Sequence, residues 1–254
     1  MKCRHLFFNT DIGIQKPENI RNKQQECPFC NREELTDILE EDGPIILLKN
    51  KYPVLENNFQ TVLIETDNCE AELSMYEPAH LHRLIKFGLK NWLEMEKNPD
   101  YKSVLFFKNH GPLSGGSIAH PHMQIIGLRD TDYYEDVKEE YFDGILIDEK
   151  NGVRFNLSTK PRVGFYEFNV QMPDSDYRKE FSEYLQIAPH YILNHFPFKG
   201  ASYNLFFYHL DKKIYVKIVP RFVTTPIFIG YGIAQVPNNL EWMVGHVQSV
   251  YFNK

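Results

Sequence analysis

Two apolar triplets, Leu105-Phe106-Phe107 and Leu205-Phe206-Phe207, each follow a segment of helical periodicity and lead through a loop into a second β-rich run. A chain that repeats helix, strand, loop, strand in its two halves is constrained to a duplicated α+β unit, because each helix must bury its apolar stripe against its own strands. In the first half Leu81, Leu84, Ile85, Leu89 and Trp92 recur at helical spacing, so residues 77–96 are expected to be an amphipathic helix. Residues 45–48, 61–65, 104–108 and 123–127 are short apolar or β-branched runs and read as strands. In the second half residues 164–171 read as a strand, 177–194 as a helix broken at Pro189, and 204–208 with 214–219 as a strand pair. Residues 1–43 read as mostly irregular, and the acidic stretch 130–150 as a linker or excursion. The expected domains are 1–135 and 136–254, each an antiparallel sheet with a packed helix.

Composition narrows the function classes. The 28 basic and 34 acidic residues leave a net charge of −6, too acidic for a nucleic-acid footprint. No run approaches the roughly 18 apolar residues of a membrane span. No long apolar stretch follows Met1-Lys2-Cys3-Arg4-His5, so no signal peptide is expected and the location is expected to be the cytoplasm. Thiols stay reduced there, so Cys27 and Cys30 point to metal binding or chemistry rather than a disulfide framework; Cys3 is read as structural.

The stretch Asn109-His110-Gly111-Pro112-Leu113-Ser114-Gly115-Gly116-Ser117-Ile118-Ala119-His120-Pro121-His122-Met123-Gln124 carries the chemistry. Gly115 and Gly116 permit positive φ and close approach of backbone to a ligand. Backbone N–H groups of such a loop can cradle phosphate, and the Ser117 hydroxyl can donate to a phosphate oxygen. In extended chain, residues two apart point the same way, so His120, His122 and Gln124 share a face. A neutral imidazole is a nucleophile near pH 7 and a leaving group once protonated, which two-step nucleotidyl transfer needs. The Gln124 amide can meet an oxygen on which charge grows. The other histidines, His5, His80, His82, His110, His190, His195, His209 and His246, lack such a context and read as structural.

The pattern Asn-x-Gly…Gly-x-Ser-x-x-His-Pro-His-x-Gln resembles the active-site signature of the galactose-1-phosphate uridylyltransferases. Nucleoside-diphosphate-sugar and diadenosine-tetraphosphate phosphorylases share it; all are branches of the histidine-triad superfamily. The resemblance implies two histidine-triad-like halves, the second degenerate, and a nucleotidyltransferase. It implies that His122 takes up the nucleoside monophosphate, that Gln124 and Ser117 contact phosphate, and that Asn50, Asn109, Gly115 and Gly116 bind substrate. The partners implied are a nucleotide or nucleotide sugar and a phosphate-bearing acceptor. The sequence is silent on oligomeric state; relatives of this kind are commonly dimers, which admits a homodimer.

The resemblance also implies one structural zinc. Cys27 and Cys30 match the family knuckle and His120 its histidine ligand; Cys69 sits where the family carries another histidine, giving a three-cysteine, one-histidine set. Other positions depart from the pattern. Lys51 replaces an aspartate that can bind ribose hydroxyls, and Tyr215-Val216-Lys217 replaces a second set of metal ligands. Gly232 replaces the glutamate that contacts sugar in galactose-specific members, and of the N-terminal arginine-rich phosphate segment only Arg21 is a candidate. These departures favour a substrate other than galactose-1-phosphate. They also leave phosphorolysis, hydrolysis and a non-catalytic nucleotide sensor as rivals, the last opposed by the retained His122, Gln124 and Ser117.

Overall fold

The computed structural model describes residues 5–22, 24, 26–198 and 200–254. Cys3 lies outside them. The chain divides into two compact units, Met1–Asp136 and Val137–Lys254.

In the first unit five strands pair antiparallel in the order β1 (Ile38–Asp42), β2 (Ile45–Lys49), β3 (Asn58–Ile64), β5 (His122–Leu128) and β4 (Ser103–His110). A short helix α1 (Thr10–Gln15) precedes the sheet, and α2 (Pro78–Glu96) packs on β4 and β5. Pro78 opens α2, where its missing N–H costs nothing. The helix buries Leu81, Leu84, Ile85, Leu89 and Trp92, the stripe read from the sequence. Each such aliphatic or aromatic side chain contributes about 1.5–3 kcal/mol on leaving water. The Trp92 indole N–H donates to the Val104 carbonyl at 3.0 Å. Gly88 lets the helix close on Phe106, whose ring would lie 2.7 Å from any Cβ there.

The second unit repeats this order: β6 (Gly144–Lys150), β7 (Val153–Ser158), β8 (Phe168–Pro173), β10 (Lys213–Pro220), β9 (Tyr203–Leu210), with α3 (Lys179–Asn194) between β8 and β9 in sequence. In both units the helix intervenes between the third and fourth strands, which is the signature of duplication. The helices α4 (Pro226–Tyr231) and α5 (Leu240–Tyr251) are additions, and α5 packs on β6 and β7. No helix of the described residues is long and apolar enough to cross a membrane.

Residues 1–43 are mostly irregular, with α1 and the exposed edge strand β1 among them. Two readings need correction. The stretch 130–150 ends in β6, an edge strand whose first half, Ile145-Leu146-Ile147, is apolar. α3 runs through Pro189 without interruption, and Pro189 is buried in the helix. Burial of the flanking Phe181, Tyr184, Leu185, Ala188, Tyr191 and Ile192 outweighs the missing hydrogen bond.

Each unit buries one lysine against a glutamate. Lys108 on β4 pairs with Glu65 at 2.5 Å, and the Tyr76 hydroxyl donates to the same carboxylate at 2.9 Å. Lys217 on β10 pairs with Glu167 at 2.9 Å and donates to Asn169 Oδ1 at 3.0 Å and to Ser158 Oγ at 3.3 Å. At the place where the resemblance puts a second metal site, the cation among these acceptors is an ammonium. Removing one partner of such a pair leaves a buried charge, at a cost of about 3–5 kcal/mol.

Candidate active site

The register of β3 and β5 sets Ile64 opposite His122 and Val62 opposite Gln124. Leu48 of β2 lies opposite Val62. Ile46, Leu48, Val62 and Ile64 form an apolar patch on the sheet, against which Phe29 of the cysteine knuckle and Leu35 pack. A cavity of about 210 Å³ opens over this face. Its wall brings together His122, Gln124, Ser117, Asn109, Gly115, Gly116 and Asn50, seven residues singled out from the sequence.

The loop between β4 and β5 is shaped by its glycines and by Asn19. Gly111 and Gly115 adopt positive φ, 81° and 87°. A Cβ on Gly116 would come within 3.2 Å of Asn109 Cβ, a tight contact that glycine avoids where the loop lies against β4. The buried Asn19 accepts from Ala119 N at 2.7 Å through its side chain, and its own N–H donates to the Ser117 carbonyl at 2.9 Å. Nothing in the local sequence around Asn19 signals this role.

The two histidines of His120-Pro121-His122 divide their work by hydrogen bonding. His122 Nδ1 lies 2.7 Å from the His120 carbonyl, which can only accept, so the proton of neutral His122 sits on Nδ1. The Nε2 lone pair is thereby left for chemistry. Burial pushes the His122 imidazolium down to about 4, and the charges of Lys108 and Lys16 act in the same direction. His122 is therefore neutral throughout the physiological range. Because its folded pKa is depressed, neutral burial is favourable above the ordinary histidine value and is lost as pH falls from there toward 4. The expected consequence is a first-step rate that stays flat between pH 8 and pH 6. An ordinary histidine would lose about three quarters of its neutral form over that interval. Single-turnover kinetics across this range checks it; a decline of that size would show that His122 titrates normally.

His120 is fully buried and turned to the knuckle. Its Nε2 lies 2.8 Å from the Thr66 carbonyl, to which it donates, and its Nδ1 faces Cys27 Sγ at 3.5 Å and Cys30 Sγ at 3.7 Å. The ligand atoms of Cys27, Cys30, Cys69 and His120 all lie within 4.8 Å of one another. Burial opposes ionisation of Cys27, but the contact with the His120 imidazole, then the Phe29 backbone N–H and Cys30, brings it to about 6. Burial and the two neighbouring thiols push Cys69 up to about 12. Three crowded sulfurs that cannot all ionise beside one another, with an imidazole lone pair aimed among them, form a donor set suited to a tetrahedral thiophilic dication such as zinc. Phe29 packs edge-on against both His120 and His122, at 5.8 and 5.5 Å between centroids, so the knuckle braces the His122 side of the cavity directly.

Sequence reasoning missed Lys16 and Asp37, which line the same cavity. Lys16 follows α1 as its C-cap, and burial lowers its pKa. Arg21 is not among the residues lining the cavity; its guanidinium donates to the Pro112 carbonyl at 3.1 Å on the outer side of the loop.

The fold is that of the galactose-1-phosphate uridylyltransferase-like proteins, the histidine-triad-like class that the sequence signature resembles. Within that class, this chain belongs to the DUF4931 family, a family of unknown function whose N-terminal and C-terminal domain models match residues 8–131 and 134–252. It is 45% identical to a DUF4931 family protein of Bacillus cereus ATCC 10987, with a TM-score of 0.78, covering 86% of this chain and 100% of that one. An ADP-glucose phosphorylase from Arabidopsis thaliana, solved with bound ADP-glucose, shares the fold at 17% identity and a TM-score of 0.72, covering 89% of this chain and 90% of that one. Protein APA1 of Saccharomyces cerevisiae is 27% identical over 236 residues, covering 85% of this chain and 68% of the relative. The chain spans from about half to about two thirds of the length of the curated relatives it matches.

Proposed function

We propose that this protein transfers a nucleoside monophosphate between phosphate-bearing acceptors through an adduct on His122. The observation that carries the reading is the geometry of His122: a buried neutral imidazole whose Nδ1–H is held by a backbone carbonyl, set in a cavity with Ser117 and a glycine-rich loop. In the first step Nε2 attacks the α-phosphorus of a nucleotide. The N–P bond forms, the anhydride P–O bond breaks, and its electron pair leaves with the departing phosphate. The ring gains positive character, which the His120 carbonyl stabilises through Nδ1–H. In the second step an acceptor phosphate oxygen attacks phosphorus and the N–P electron pair returns to Nε2. Ser117, the loop N–H groups and Gln124 meet the phosphate oxygens, and Lys16 supplies the cation that the arginine-rich segment supplies elsewhere. Zinc, when bound, fixes the knuckle and His120 so that the His120 carbonyl stays in place under His122. Catalysis is assigned to the N-terminal unit; the C-terminal unit, with Lys217 in the second metal position, is the degenerate half.

Phosphorolysis, with inorganic phosphate as the acceptor, is favoured over transfer to galactose-1-phosphate. Gly232 ends α4 at φ 66°, a conformation that favours glycine, and it offers no side chain to a sugar hydroxyl. The test is incubation with a nucleoside diphosphate sugar or a dinucleoside polyphosphate without acceptor. One nucleoside monophosphate mass is expected on the protein, and it should be discharged by inorganic phosphate. Absence of any adduct across adenine, guanine, cytosine and uracil donors would overturn the mechanism.

A further inference from the structure

We infer that residues 10–17 form a strap that shuts over the cavity when a phosphate is bound there, with the Lys16 ammonium as its latch. The inference rests on the nucleotide reading of the cavity and adds how that site opens and closes.

The strap is pinned beyond each of its ends to a different stretch of the cavity rim. At one end Asn9 N donates to the Val54 carbonyl at 2.8 Å, and Glu56 N donates to the Phe7 carbonyl at 3.0 Å. Leu55 between these two is tied to Gln60, whose side chain accepts from Leu55 N at 3.3 Å and donates to the Leu55 carbonyl at 2.9 Å. Gln60 lies opposite Ile126 on β5. At the other end Asn19 N and Ile20 N donate to the Ser117 carbonyl at 2.9 and 3.2 Å, and the Asn19 side chain accepts from Ala119 N at 2.7 Å. That anchor leads straight into His122. The four residues from His122 to Ile126 span roughly 14 Å at the rise of a strand, so the strap has a whole site to bridge.

Between the anchors little holds it down. Ile12 N and Gly13 N donate to Asn9, the Gln15 amide to the Asp11 carbonyl, and Lys16 N to the Gly13 carbonyl, so these bonds stay within the segment. No residue of α1 is buried, and Ile14 is 84% exposed. Gly13 of α1 rests on the Phe8 ring, which belongs to the anchor and is itself more than half exposed. A segment with so few buried apolar contacts opens locally at small cost. Opening is also needed. The cavity of about 210 Å³ is smaller than the roughly 300 Å³ at which ligand clefts begin, so a wall has to move to admit a nucleotide. The sheet floor is held by its ladder and the knuckle by the cysteine and histidine cluster, which leaves the strap wall, Lys16 and Pro17.

Lys16 makes the closing depend on an anion. Its ammonium has no acidic partner among the described residues, and burial in the wall lowers its pKa. An unpaired charge drawn out of water opposes closure over an empty cavity. A phosphate beside His122 supplies the missing partner, so it binds the closed state better than the open one, and that difference is what shifts the equilibrium. A strap shut in this way keeps bulk water off the reacting phosphorus, as lids of this kind do.

Hydrogen–deuterium exchange of the zinc-loaded protein reads the strap directly. AMP, GMP, CMP and UMP are first titrated by calorimetry; the tightest binder is then used at saturation, with its nucleoside as the phosphate-free control. In the free protein the amides of residues 10–16 should exchange at least about 10²-fold faster than those in the middle of α2. The nucleotide should slow them by about tenfold or more, the factor by which it prefers the closed state, and the nucleoside should not. Lys16→Met should abolish the slowing at saturating nucleotide, while Lys16→Arg, which keeps the cation, should retain it. Strap amides as protected as α2 in the free protein, equal slowing by the nucleoside, or slowing that survives in Lys16→Met each overturn the inference. Nucleotide binding with unchanged strap exchange also overturns it and leaves the nucleotidyl-transfer reading standing; no binding of any nucleotide brings down both.

Discussion

Replacing His122 with asparagine should reduce turnover by at least about 10⁴-fold, the scale set by loss of a covalent nucleophile. The asparagine amide can still donate to the His120 carbonyl, which lies 2.7 Å from Nδ1 in the wild type, so packing and metal content should be retained. Intact-mass measurement after exposure to a donor nucleotide should show one added nucleoside monophosphate on the wild type and none on the variant. The label should be lost in acid and persist in base, as a phosphoramidate does and a carboxyl phosphate does not. Turnover that survives in the variant, or a label that maps to another residue, would remove His122 from the mechanism.

The second large effect concerns the metal centre. Protein purified without chelator should carry one zinc per chain, and Cys27→Ser combined with Cys30→Ser should carry none. Structural zinc in small domains contributes about 10–16 kcal/mol of apparent binding free energy, much of it expressed as folding. In a chain of this size, whose sheet and helix supply most of the core, a fall in melting temperature of more than about 5 °C is expected. Activity should fall with it, because Phe29 and His120 of the knuckle region support His122 on one side. Cys69→Ala separates the ligands: loss of zinc places Cys69 in the set, and full occupancy removes Cys69 alone. Substoichiometric zinc in the wild type, or zinc unmoved by the double change, would dismiss the assignment.

The elements that the sequence revealed are those with strong local periodicity. The stripe of α2 is legible because one face of it is buried, and the β-branched runs of β3 and β10 because nearly all their residues are buried on both faces. β1 and β6 are edge strands of mixed apolar and acidic residues, and their alternation is too weak to stand out from loop composition. Pro189 misleads for a related reason: a helix-breaking residue is read locally, while the apolar contacts that hold α3 together come from elsewhere in the unit.

The candidate site divides along the same line. His122, Gln124, Ser117, Gly115 and Gly116 lie within one short stretch, and residue type and spacing alone state their chemistry. Cys27 and Cys30 are legible as a pair for the same reason. The sequence by itself thus determined the duplicated α+β order, the grouping of His122 with its glycine-rich loop, and the knuckle. The resemblance had already put Cys69 with the knuckle, where the structure places it; only the tertiary structure set Asn19 under the loop, and Lys16 and Asp37 in the cavity wall. It alone chose the tautomers of His120 and His122, through the Thr66 and His120 carbonyls. It also put the Lys217 ammonium, rather than a void, at the second metal position. Each of these contacts joins segments through strand register, or depends on where a carbonyl points, and neither quantity leaves a periodic trace in the order of residues.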